Sequence, residues 1–212
     1  MSDPAARLPG LTWLHADVFC EAPLSGNGLC VFLPEQDLCE AAMLALTQEM
    51  RQFESIFLSE VAEGSARARI FTLEEELDFA GHPLLGAAAV LHHRAGADES
   101  RQVTFRLNAR EVAVRTRRRR ARFFEAAMAQ GPAVWGGEAE GDPREAVISA
   151  LGLGQGDLVP GLPLAAVSTG LDYLIVPVTG DGLARAAIRV DDFEERLALL
   201  GAKFVYVLAP EA

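Results

Sequence analysis

Residues 69–93 read RIFTLEEELDFAGHPLLGAAAVLHH, and the fold turns on them. The order is strand, acidic turn, Gly81-His82-Pro83 hinge, then helix. Pro83 suits a first helical position, having no N–H to leave unpaired and a φ already close to helical. Residues 84–91 are apolar on every side, so this helix belongs inside protein, and it is too short to cross a bilayer. Gly86 and the alanines behind it let neighbouring backbones come close. A buried helix that starts at Gly81-His82-Pro83 turns free N–H groups and a positive dipole end inward, a setting for a carboxylate or oxyanion. A capping or packing histidine and a plain turn glycine would read the same way, and the residues alone leave both readings open.

Composition bounds the rest. The 212 residues can bury one compact core or two small lobes, and a 50% hydrophobic content excludes general disorder. The formal net charge of −11 argues against general nucleic-acid affinity. Residues 1–10 lack the apolar core of a signal peptide, and no later run is long enough to span a membrane. Cys20, Cys30 and Cys39 show neither Cys-x-x-Cys spacing nor a histidine at ligand spacing. No disulfide framework and no metal site is expected, which fits a cytoplasmic protein.

Working outward, residues 12–19 read as a strand, 22–28 as a turn marked by Pro23, Gly26, Asn27 and Gly28, and 29–33 as a second strand. Residues 38–50 carry helical apolar spacing. A strand then resumes near Phe53, and Glu54 stands just before the apolar run Ile56-Phe57-Leu58. Facing inward, that carboxylate would be partly desolvated and suited to proton transfer; facing outward, it is an exposed turn glutamate. Asn27 alone is ordinary turn chemistry. Glu74, Glu75 and Glu76 are expected to form a solvated turn, and His92 and His93 to be C-terminal cations or surface groups. Residues 102–114 read as two short strands. The basic run RTRRRRAR at 115–122 reads as a solvated hairpin, a polyanion contact being the other possibility. In the second half, residues 131–142 are expected as a loop, 143–152 and 191–200 as helices, and 164–168, 172–178 and 203–208 as strands.

The run FTLEEELDFAGHPLLG, residues 71–86, resembles the phenazine-biosynthesis isomerase (PhzF-like) family, which shares the diaminopimelate-epimerase fold. Asp17, Phe19, Gly26 and Asn27 match a second family pattern, with Gly28 where proline is usual. Glu49, Glu54, Ser55 and Phe57 match a third, with Arg51 and Phe53 departing from it. The resemblance implies an α+β protein of two pseudo-symmetric lobes, each a mixed sheet around a central helix. It implies Glu54 as general acid/base and His82 as a positioning or relay group. Gly81, Asn27 and Ser55 would be substrate-binding, on a small carboxylate-bearing metabolite, with no cofactor and as a homodimer. The Ser25-Gly26-Asn27-Gly28 run is also similar to the Cys-Gly-Asn-Gly of two-thiol epimerases, but serine leads it and no cysteine follows Cys39.

No stretch matches the family's Asp-Pro-x-Thr-Gly-Ser element, which opens the second central helix; Asp142-Pro143 runs on into Arg144-Glu145-Ala146. The expected organisation is therefore a lobe over 1–115 with its central helix at 83–94, and a partial second lobe over 116–212 lacking that helix. A fragment, a naturally short product, or a half-site supplied by another chain would each fit. The alternative function is a catalytically inactive PhzF-like binding or assembly protein.

Overall fold

Alternating apolar residues build the first unit, Met1–Ala129, of the computed structural model, which describes residues 10–96 and 99–210. Its elements run β1 (Leu11–Val18), β2 (Asn27–Pro34), α1 (Glu40–Met50), β3 (Glu54–Ala62), β4 (Ser65–Thr72), β5 (Glu76–Leu77), α2 (Gly81–Ala95), β6 (Ser100–Arg106), β7 (Glu111–Arg120) and β8 (Phe123–Met128). The sheet order is β1-β2-β3-β4-β6-β7-β8, with β5 beside β4. The β2–β3 and β4–β6 pairs are parallel and the others antiparallel. Side chains a residue apart point to opposite faces. Leu29, Val31, Ile56, Leu58 and Ile70 form one core with α2, while Cys30, Phe32, Phe57 and Phe71 form another with α1.

Helix α2 is buried through Leu84, Gly86, Ala87, Ala88 and Val90. A Cβ on Gly86 would lie 2.5 Å from Leu29 Cδ2 and 2.9 Å from Val18 Cγ2, so the helix backbone rests directly on β1 and β2. The helix begins two residues before the expected start, which puts Gly81 and His82 in its first turn. His92 departs from the surface role expected of it. Positions 84, 88 and 92 share one stripe at four-residue spacing, so His92 is fully buried beneath the sheet. Its Nδ1 lies 2.8 Å from Thr116 Oγ1, and its ring packs 4.9 Å from that of Phe124. His93, one position on, is exposed.

The basic run forms the end of β7 and its turn into β8. Arg115, Arg117 and Arg119 are exposed, and Arg118 and Arg120 lie over Phe124 and Phe123. The expected lobe boundary at residue 115 thus falls inside β7, and the division comes after Ala129.

The second unit, Gln130–Ala212, holds β9 (Val134–Glu138), α3 (Gly141–Ala150), β10 (Ala165–Ser168), β11 (Asp172–Pro177), α4 (Gly180–Arg185), α5 (Phe193–Ala198) and β12 (Phe204–Leu208). Its sheet order is β12-β11-β10-β9, with only β11–β12 parallel. Strand β9 replaces part of the expected loop: Gly136 lets that strand lie against Ala166, which a Cβ there would approach to 3.0 Å. The core joins Leu174, Val176 and Val178 to Val147 and Ile148 of α3 and Leu197 of α5. Two mixed sheets backed by helices make the expected α+β class. Among the described residues no helix is long and apolar enough to cross a membrane.

Candidate active site

Glu54 opens β3 in register with Leu29 on β2 and Thr72 on β4. Sharing parity with Ile56 and Leu58, its side chain turns toward α2, where Glu54 is 7% exposed. The first turn of α2 brings His82 to it: Nδ1 lies 2.9 Å from Glu54 Oε2, with both side chains 9% exposed. That is ion-pair distance without hydrogen-bond alignment, so Glu54 Oε2 and His82 Nε2 both stay buried with no hydrogen-bond partner. Leaving such an atom unmatched costs about 1–3 kcal/mol, and proteins rarely keep one without a use for it.

Gly81 begins α2 behind Ala80, an extended N-cap residue whose side chain makes no cap hydrogen bond. The first N–H groups of the helix are therefore uncapped by that residue, beside His82. Asn27 is exposed at the first position of β2. Two residues before Leu29, it lies at the same end and on the same face of the sheet as Glu54. Gly26 is required just before it, because a Cβ there would come 2.4 Å from the Val18 carbonyl oxygen. Asp17 Oδ2 accepts the Leu24 N–H at 2.7 Å and shapes the same loop.

A family model for phenazine biosynthesis-like proteins, PhzC-PhzF, matches residues 16–205. The chain belongs to this family. A solved structure of a predicted epimerase from Pseudomonas aeruginosa is 49% identical, with a TM-score of 0.85 over 92% of this chain and 69% of that one. The trans-2,3-dihydro-3-hydroxyanthranilate isomerase of the same species is 47% identical over 76 residues, 35% of this chain and 27% of that protein. The uncharacterized isomerase YddE of Escherichia coli strain K12 is 28% identical over 164 residues, 77% of this chain and 54% of that protein. The chain thus spans about half the length of YddE, one of the curated relatives it matches. Its fold is diaminopimelate-epimerase-like, as the resemblance implied.

Within this PhzF-like frame, Ser55 is not brought to the Glu54–His82 pair. One residue on from Glu54, it faces the α1 side in register with Cys30 and Phe71, fully buried, its Oγ without a hydrogen-bond partner. Burial there pushes the Cys30 thiol up. A cavity of about 590 Å³ opens between the free edges of β1 and β8, lined by Ala16, Val18, Ala89 and Phe124; neither Glu54 nor His82 borders it.

Glu76 was expected in a solvated turn with Glu74 and Glu75. Those two are exposed, but Glu76 sits in β5 and accepts hydrogen bonds from Arg69 Nε and Asn108 Nδ2, each at 2.8 Å. Thr72 Oγ1 accepts the N–H groups of Glu74 and Glu75, closing the turn that sends β5 back along β4. The sequence signal for Glu76 was its match to the family pattern, and nothing in local spacing names Arg69 as its partner.

Proposed function

We propose that this chain carries the proton-transfer half-site of a cofactor-independent isomerase acting on a small, carboxylate-bearing metabolite. The observation that carries the reading is the buried Glu54–His82 pair, which presents two unmatched polar atoms beside an uncapped helix start. In the proposed step, the Glu54 carboxylate takes a proton from a substrate carbon and the same proton returns at another atom, so composition is unchanged. His82 Nε2 holds the substrate or passes the proton on, and the amides from Gly81 onward hold the substrate carboxylate. Asn27 contributes at the rim. These groups can move a proton unaided, so the reading invokes no cofactor or metal.

Relatives named as isomerases support the class, and the non-catalytic alternative finds no support among them. The name of the Pseudomonas aeruginosa isomerase supplies the first substrate to try. The reading includes a cytoplasmic homodimer. The test is conversion of trans-2,3-dihydro-3-hydroxyanthranilate in deuterated water, followed by proton NMR. Glu54→Gln is expected to cut turnover by about 10²–10⁴-fold, the usual worth of a general acid/base. Turnover unchanged by that substitution would exclude the mechanism.

A further inference from the structure

The two members of the buried pair are held in place very differently. Glu54 is fixed on β3 by ladders to β2 on one side and β4 on the other. His82 has no such ladder. Ala80 gives its helix no side-chain cap, and β5, the strand before it, is two residues long. The turn that joins β6 to β7, well after His82 in sequence, reaches this segment at two points. The Leu107 N–H closes that turn on the Arg110 carbonyl at 2.9 Å, and Leu107 is anchored in the core beneath α2. Asn108 Nδ2 donates to Glu76 Oε1 on β5 at 2.8 Å. Arg110 lies over Phe79, its guanidinium carbon 3.9 Å from the ring centroid. Phe79 is 5% exposed and shares the core of Leu84, so its ring is held between that core and the guanidinium.

We propose that Arg110 is a positioning residue for His82, acting through Phe79. A guanidinium over an aromatic face is attracted by the negative face of the ring, and its stem covers apolar surface. Half-buried Arg110 thus closes the side of Phe79 that the core leaves open. Only extended Ala80 and Gly81 stand between Phe79 and His82, so a shift of the ring passes directly into the first turn of α2. Asn108 bears on β5, whereas Arg110 bears on the connector beyond it. Small displacements matter here, because about 1 Å of misplacement of a reacting group costs on the order of 10²-fold in rate.

The effect on turnover rests on the proposed function; the effect on His82 rests on geometry alone, and NMR of the full chain labelled with carbon-13 histidine reads it without substrate. The chain has four histidines, and His82→Gln assigns the signal of interest. His92, buried at the far end of the same helix, is the internal control. Arg110→Ala should shift and broaden the His82 ring signal and leave that of His92 in place. Arg110→Lys, which keeps a cation and a stem over the ring, should return His82 most of the way. An unmoved His82 signal overturns the proposal, and so does an equal disturbance of His92, which would make Arg110 a general packing group. In the isomerase assay, Arg110→Ala should lower kcat/KM at least about tenfold, and Arg110→Lys should stay within about threefold of the wild type. Turnover lost in Glu54→Gln but kept in Arg110→Ala overturns this inference alone. Turnover that survives Glu54→Gln overturns the proposed function, and the His82 signal then decides the role of Arg110 by itself.

Discussion

Arg69 and Glu76 join β4 to β5 by a two-point ion pair, Nε on Oε1 at 2.8 Å and Nη2 on Oε2 at 2.5 Å. The pair fixes the segment that leads through Phe79 and Ala80 to His82, so the N-terminal end of α2 is hung from it.

That clamp makes stability depend on acid. Hydrogen bonding from Arg69 holds the Glu76 carboxyl below the usual carboxylate range, against the opposing effect of burial. A folded value below the unfolded one, about 4.3, contributes stability above that pH and loses it as pH falls through the folded value. Urea midpoints from pH 6 down to pH 3 should therefore fall more steeply for the wild type than for Glu76→Gln. At neutral pH the substitution should cost about 1 kcal/mol. Parallel curves for the two proteins would show that the pair carries no linkage.

The unmatched atoms of Glu54 and His82 predict opposite effects on activity and stability. Glu54→Leu removes a buried carboxylate from a site where nothing completes its hydrogen bonding, so it should abolish turnover while leaving the melting temperature unchanged or a few degrees higher. A large drop in melting temperature would mean that the pair is a structural bridge instead.

Gly86 sets two effects against each other. Alanine would gain about 1 kcal/mol of helix propensity. Its Cβ would also meet Leu29 and Val18 inside 3 Å, and overpacking of that kind costs about 1–3 kcal/mol. Overpacking should win, leaving Gly86→Ala roughly 1 kcal/mol less stable and Gly86→Val worse. Leu29→Ala should be partly rescued by Gly86→Ala, giving a coupling energy of at least about 0.5 kcal/mol in a double-mutant cycle; strict additivity would contradict the close approach.

His92 and Thr116 should couple as well. Thr116 Oγ1 lies 2.8 Å from His92 Nδ1, and its hydroxyl also reaches the Arg101 carbonyl at 3.4 Å. Thr116→Val strips His92 of that partner and should cost about 1–3 kcal/mol. The same change in a His92→Leu background should cost markedly less, as chemical denaturation of the four proteins would show.

The first unit was largely legible because its signals are periodic. Alternation in residues 29–33 and 54–58 gave two faces, and the all-apolar run after Pro83 gave a buried helix. Glu54 and His82 were legible through the family pattern, since their meeting depends on register between β3 and a helix that starts 27 residues later in sequence. Other features were hidden for stated reasons. Two adjacent histidines look alike in sequence, and only the helical phase sends His92 inward and His93 out. Glu76 looked like its acidic neighbours until β5 turned it back toward Arg69. In the second unit, strand β9 was obscured by Gly136-Gly137, which read as loop yet permit contact with Ala166.

The parallel pairing of β4 with β6 has a further consequence. The chain between these strands passes through α2, which makes it a crossover connection, and such connections are right-handed in about 98% of cases. Handedness thus decides which side of the sheet receives the helix, before any side chain contributes. Given that side, chemistry hangs on whether β3 is counted odd or even. A slip of a single residue along β2 would present Ser55 to His82 and drive the Glu54 carboxylate in among Phe32, Phe57 and Phe71, where the neighbouring cation, Arg69, is already held by Glu76. The Glu54–His82 pairing and the correct strand register therefore select one another, and a misregistered chain would be less stable and would lack the pair proposed to carry the chemistry.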